Sequence, residues 1–188
     1  MNIRQALLDE HSKRQTMAIV EYIGDDPARF AGLMDVFFAG EYRTTQRAAW
    51  PLNYCAERNP ELIYPYLDRL VGLLARKDVH NAVRRNIARL LQYIEIPEHL
   101  RGKVYSLCVD LVDNPEEPVA VRVFALTVAA NIAKPEPDLT GELKLIVEKH
   151  LPHATPAFRA RREEYYVSDH WRDEIFRPAP CRFGPQTG

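Results

Sequence analysis

Four times along the chain an arginine is followed thirteen residues later by a proline: Arg14 and Pro27, Arg47 and Pro60, Arg84 and Pro97, Arg122 and Pro135. The arginines stand 33, 37 and 38 residues apart, which is a repeat period. Glutamate follows the proline in three cases, at Glu61, Glu98 and Glu136. One physical unit accounts for the pattern. The arginine opens the second helix of a pair, an apolar run follows, and the proline starts the first helix of the next pair, where its missing N–H leaves no bond unmade. The glutamate then meets the positive end of the helix macrodipole. A fifth phase falls at Arg159, but Arg172 stands where the proline would be. That degeneracy suits a terminal unit with a polar outer face.

The apolar pattern between these marks is helical almost throughout. Fourteen prolines against eight glycines also favour helices punctuated by proline over glycine-rich β-turns. The expected class is all-α. Helices are predicted over residues 12–24 and 27–39, then from about Tyr42 to Arg58, where Pro51 either kinks the helix or marks a restart. The next runs from Pro60 to Ala75, with Leu62, Ile63, Tyr66, Leu67, Leu70, Val71 and Leu74 on one face and a kink at Pro65. From Val79 to Ile94 the apolar face is Val83, Ile87, Leu90, Leu91 and Ile94, which leaves Arg84, Arg85, Arg89 and Gln92 toward another side. Pro97 to Asp113, Pro118 to Ala133 and Leu139 to His150 complete the series. The Pro118 helix has almost no charge after Arg122 and is expected to be buried on most sides.

Two segments carry a family likeness: D-V-H-N-A-V-R-R-N-I-A-R-L-L from Asp78 to Leu91, and D-N-P-E-E-P-V-A-V-R-V-F-A-L from Asp113 to Leu126. Each has an Asp, a short polar connection, and V-R opening the second helix. Over residues 12–166 the chain resembles HEAT repeats. The first repeat departs most, since Lys13 precedes Arg14 and the period there is short. The resemblance implies a right-handed α-solenoid of four to five HEAT-like antiparallel helix pairs over residues 1–166. Residues 167–188 are expected to form a C-terminal cap, through Trp171, Ile175 and Phe176, and a flexible tail.

Charge and cysteine content narrow the function classes. With 25 Lys and Arg against 26 Asp and Glu, the chain has no global basic field to advertise nucleic acid or an anionic membrane. Cys55, Cys108 and Cys181 are odd in number and far apart, which fits reduced thiols better than a disulfide framework. No stretch approaches the roughly 18 apolar residues of a membrane span, and the N-terminus lacks the apolar region of a signal peptide. A soluble cytoplasmic protein is expected.

Catalytic motifs are missing. The chain has no G-x-S-x-G, P-loop, G-x-G-x-x-G or H-E-x-x-H. His150 and His153 form H-L-P-H at a helix end, with no cysteine or carboxylate pair to complete a zinc set, so a polar helix cap is the expected role and no metal or cofactor is predicted. Cys108, between Leu107 and Leu111, and Cys55 read as small buried hydrophobes. The acid pairs Asp25-Asp26 and Glu116-Glu117 stand where helices begin, which the dipole explains.

Two functional readings remain. Helix pairs stacked in series expose a long curved surface lined by the second helices. Asn53, Tyr54, Arg85, Arg89 and Gln92 are the candidates for a polar groove that takes a protein or peptide, and Arg159, Arg161 and Arg162 form a second basic cluster. The favoured function is therefore a non-catalytic protein-interaction scaffold. The alternative is a HEAT-like DNA-binding protein or alkylated-base glycosylase, because one glycosylase family is built on such repeats. Trp50, Tyr54, Tyr93 and Trp171 would supply its aromatic faces, and Arg47, Arg84, Arg85, Arg89 and Arg122 its phosphate contacts. The near-neutral charge makes nucleic acid the less favoured partner. The oligomeric state is not legible.

Overall fold

The computed structural model describes residues 1–39 and 41–166, and among these it contains ten α-helices and no strand. They are α1 (Ile3–Asp9), α2 (Lys13–Ile23), α3 (Pro27–Phe38), α4 (Tyr42–Arg58), α5 (Leu67–Ala75), α6 (Asn81–Leu91), α7 (Glu98–Asp113), α8 (Val119–Ala133), α9 (Pro137–His150) and α10 (Pro156–Tyr166). Even-numbered helices stack in one row, each from α2 to α10 against the next. In the facing row α1 packs on α3, α5 on α7, and α7 on α9. The link from α3 toward α5 is aromatic: Phe30 meets the Tyr66 ring edge-on at 5.8 Å, and the Arg69 guanidinium lies 3.8 Å over Phe38. The all-α, HEAT-like solenoid expected from the repeat is the observed class.

Side-chain caps set the first three helix starts. Asn2, Ser12 and Asp26 accept hydrogen bonds from the first-turn N–H groups of α1, α2 and α3. Helix α1 escaped the sequence reading because two turns carry too little periodicity. Its Ile3, Ala6 and Leu7 are nevertheless buried, and it packs on α2, α3 and α4. Gly24 ends α2 at φ 52°, in the left-handed region that favours glycine. Pro51 sits buried inside one continuous seventeen-residue helix, so it does not mark a restart.

Two expectations need correcting. No single helix spans Pro60 to Ala75. Pro60–Leu62 and Tyr64–Tyr66 are short 3-10 turns, closed by Ile63 N–H to Pro60 O at 2.9 Å and Tyr66 N–H to Ile63 O at 2.8 Å, and the α-helix begins only at Leu67. Pro65 lacks the N–H that Glu61 O would need and disfavours helical geometry at Tyr64. The repeat prolines also differ in position. Pro27 is at the start of α3, but Pro97 is the cap ahead of α7, and Pro135 lies before the Glu136 cap while Pro137 opens α9.

Helix α8 is the most enclosed, with nine of its fifteen residues buried and contacts to α6, α7, α9 and α10. That agrees with its nearly uncharged sequence. Residues 167–188, including Trp171, Ile175 and Phe176 of the expected cap, lie outside the described residues.

Candidate partner-binding face

The repeat arginines serve the fold. A helix ends with carbonyls that have no partner within it, and Arg84 Nε donates to Leu74 O at 3.2 Å in the last turn of α5. Arg122 does the same for Val112 O of α7, at 3.0 and 2.8 Å from Nε and Nη2. Arg159 Nη2 donates to Leu151 O just past α9 at 3.3 Å. Arg47 reaches a different helix, donating from Nη1 to Leu7 O and Leu8 O of α1 at 2.8 and 3.0 Å. In its place Thr45 Oγ1 donates to Phe37 O of α3 at 3.1 Å. Arg14 caps nothing and pairs with Glu10 at the surface.

Arg84 is thus not on the polar side of α6. It is 5% exposed and also holds Glu117 through two hydrogen bonds. Periodicity assigned it to the same face as Arg85, yet its side chain is drawn inward by the α5 carbonyl and the Glu117 carboxylate.

What α6 does present is Arg85 and Arg89. They are exposed, four residues apart on one face, and among the described residues neither side chain enters an ion pair or hydrogen bond. Gln92, partly buried at the end of the same stripe, turns back to donate from Nε2 to Arg89 O at 3.1 Å. The neighbouring α4 contributes less than expected. Asn53 is 5% exposed and donates from Nδ2 to Ala49 O at 2.7 Å, while its Oδ1 is buried without a protein partner. Tyr54 is half-buried against the core. With one buried and the other half-buried, neither stands as an open groove wall. Sequence reasoning passed over Arg43 and Gln46, both exposed near the start of α4. Their spacing to Trp50, three and then four residues, was the available signal.

The C-terminal basic cluster is divided. Arg159 is exposed but engaged with Leu151 O. Arg161 and Arg162 are half-buried, and Arg162 borders a hollow of about 140 Å³ with Lys144, Val147 and Glu148 of α9.

Among the described residues neither a metal-binding cluster nor an activated cysteine is present. No group of three or more His, Cys, Asp and Glu is placed to hold an ion. His150 Nε2 lies 2.8 Å from Asp113 Oδ1, beside the Lys149 ammonium at the same distance, so its role is to tie the end of α9 to the end of α7. Burial pushes the thiols of Cys55 and Cys108 up to about 12, far from the thiolate a nucleophile needs. Of the groups a base-excising enzyme would use, Arg47, Arg84 and Arg122 are engaged with backbone carbonyls, Trp50 is half-buried edge-on to His11 at 5.3 Å, and Trp171 lies outside the described residues.

Two facing rows of stacked helices, with guanidinium groups closing several helix ends, define a helical-repeat protein. The model of the HEAT repeat domain family matches residues 3–166, and the chain belongs to that family. A search of curated proteins and a search of solved structures each found no match.

Proposed function

We propose that residues 1–166 act as a non-catalytic interaction scaffold whose exposed α6 face takes an acidic segment of a partner protein. Membership in a helical-repeat family supports the scaffold reading, since such arrays offer long continuous surfaces. The observation that carries the choice of α6 is the Arg85–Arg89 pair. Like charges at this spacing destabilise a helix by about 0.2–0.5 kcal/mol when nothing neutralises them. A partner carboxylate would supply that neutralisation in bidentate form. Reduced thiols at Cys55 and Cys108 suit a cytoplasmic setting, and none of the described helices is long and apolar enough to cross a membrane.

The test is affinity capture by the immobilised full chain, comparing wild type with R85E/R89E. Acidic partners should be retained by the wild type and bound at least about tenfold more weakly by the variant, with an unchanged melting profile. Retention by both proteins would remove α6 as the contact face. Salt-sensitive binding of duplex DNA by the wild type, lost in the variant, would favour the DNA-binding alternative instead.

A further inference from the structure

A second surface, of opposite charge, lies where the turn between α2 and α3 meets the 3-10 segment after α4. These segments border a hollow of about 260 Å³. Its floor is apolar, with Leu62, Pro65 and Tyr66 toward the surface and Phe30 fully buried behind them, and its rim carries Asp25, Asn59 and Glu61. The floor is fixed in place: Phe30 and Leu62 belong to the core, and Tyr66 is held edge-on to Phe30 at 5.8 Å. Asn59 Nδ2 donates to Asp25 Oδ1 at 3.2 Å, which joins the two sides of the rim.

The rim carboxylates lack a cation. Asp26, next to Asp25, caps α3 and pairs with Arg29 at 3.1 Å, and Arg29 also donates to Tyr22 O at 2.7 Å. Glu95, further along the same edge, pairs with Arg101 at 3.2 Å. Among the described residues Asp25 and Glu61 enter no ion pair. Burial first, then the charges of Glu61 and Glu95, pushes the nearby Tyr64 hydroxyl above its ordinary range.

We propose that this hollow binds an arginine or lysine side chain projecting from a partner peptide. The aliphatic stem covers the Leu62–Pro65–Tyr66 floor, as long cationic side chains cover apolar surface elsewhere. The charged head lies between Asp25 and Glu61, within reach of the Tyr66 ring face. Charge complementarity selects the occupant, because an apolar peptide would leave both carboxylates uncompensated and an acidic one would be repelled. The proposal stands independently of the α6 face.

The experiment uses the full ¹⁵N-labelled chain and two capped tripeptides, acetyl-Leu-Arg-Leu-amide and its neutral citrulline counterpart of the same shape. The arginine peptide should give saturable amide shifts at Asp25, Asn59, Glu61 and Tyr66. The citrulline peptide should bind about tenfold more weakly, as should the arginine peptide on D25N/E61Q, while R85E/R89E binds it unchanged. E61Q alone, which leaves the Asp25–Asn59 bond intact, should show an intermediate loss. Equal shifts from the two peptides, undiminished binding by D25N/E61Q, or equal affinity for n-butylammonium would each overturn the proposal, the last by showing a site for free amines.

Discussion

Arg84 on α6 and Glu117 in the turn before α8 form a two-pronged ion pair at 2.8 and 2.9 Å, with side chains only 6% and 9% exposed. Arg84 also donates to Leu74 O, so one guanidinium joins α5, α6 and the turn before α8. Removing one member of a buried pair leaves the other charge uncompensated, which costs about 3–5 kcal/mol. E117A should therefore lose about that much stability in urea unfolding. R84M/E117L should recover most of the loss if the cost lies mainly in desolvating the charges, and recovery of none of it would show that the Leu74 cap matters more.

Charge on the exposed face of α6 predicts a separation of stability from binding. Arg85→Glu replaces a repulsive i,i+4 pair with an attractive one in the favourable order, acid first. The variant should be more stable than wild type by about 0.5 kcal/mol and should bind its partner less well. Loss of stability would show that Arg85 makes a contact within the fold.

Acid should weaken the tie between α7 and α9 in a defined direction. The Lys149 ammonium and then the His150 ring hydrogen-bond the Asp113 carboxylate and hold it below the usual carboxylate range. A carboxyl that titrates lower in the folded than in the unfolded chain contributes stability above its unfolded value, and that contribution is lost as pH falls through the folded value. The Asp113 contribution is full above about pH 4 and fades below it. Because the side chain is 40% exposed, screening keeps it within about 1 kcal/mol. D113N should melt slightly lower than wild type at pH 7, with the gap closing as the pH is taken down to about 2.

Thiol chemistry should report global unfolding. In a C181S background, Cys55 and Cys108, held up to about 12 by burial, should resist maleimide at neutral pH until denaturant is added. Rapid labelling of either in the native protein would mean that α4 or α7 opens locally.

His80 is an unusual helix cap. Its Nδ1 accepts from Ala82 N–H at 3.1 Å, and its ring meets Tyr42 edge-on at 4.6 Å. H80A should cost about 1 kcal/mol in thermal unfolding, and H80N should retain most of that. Equal loss in both would assign the effect to the Tyr42 contact.

The helical class and most element positions were legible because apolar spacing survives in single residues: Ile87, Leu90 and Leu91 face inward as their period demands. Proline was harder to read, since the same residue sits inside α4 at Pro51 and breaks helix geometry at Pro65, and only the packing around each decides. Sites fared worse. Arg84 and Arg85 are adjacent and chemically identical, yet one is buried by a carboxylate 33 residues away and the other is open. Asn53 is likewise buried although its side chain is polar. The rim of Asp25, Asn59 and Glu61 depends on two turns meeting, which periodicity does not encode.

The stacking of each helix on near neighbours has a consequence for biosynthesis. The substantial contacts join helices at most three places apart in chain order, so closing them requires only short loops. Helices α1 and α2 have their packing partners once α4 is synthesised, whereas α4 itself waits for α6. The array can assemble from its N-terminal end during translation, each new helix pair using the completed one as its template.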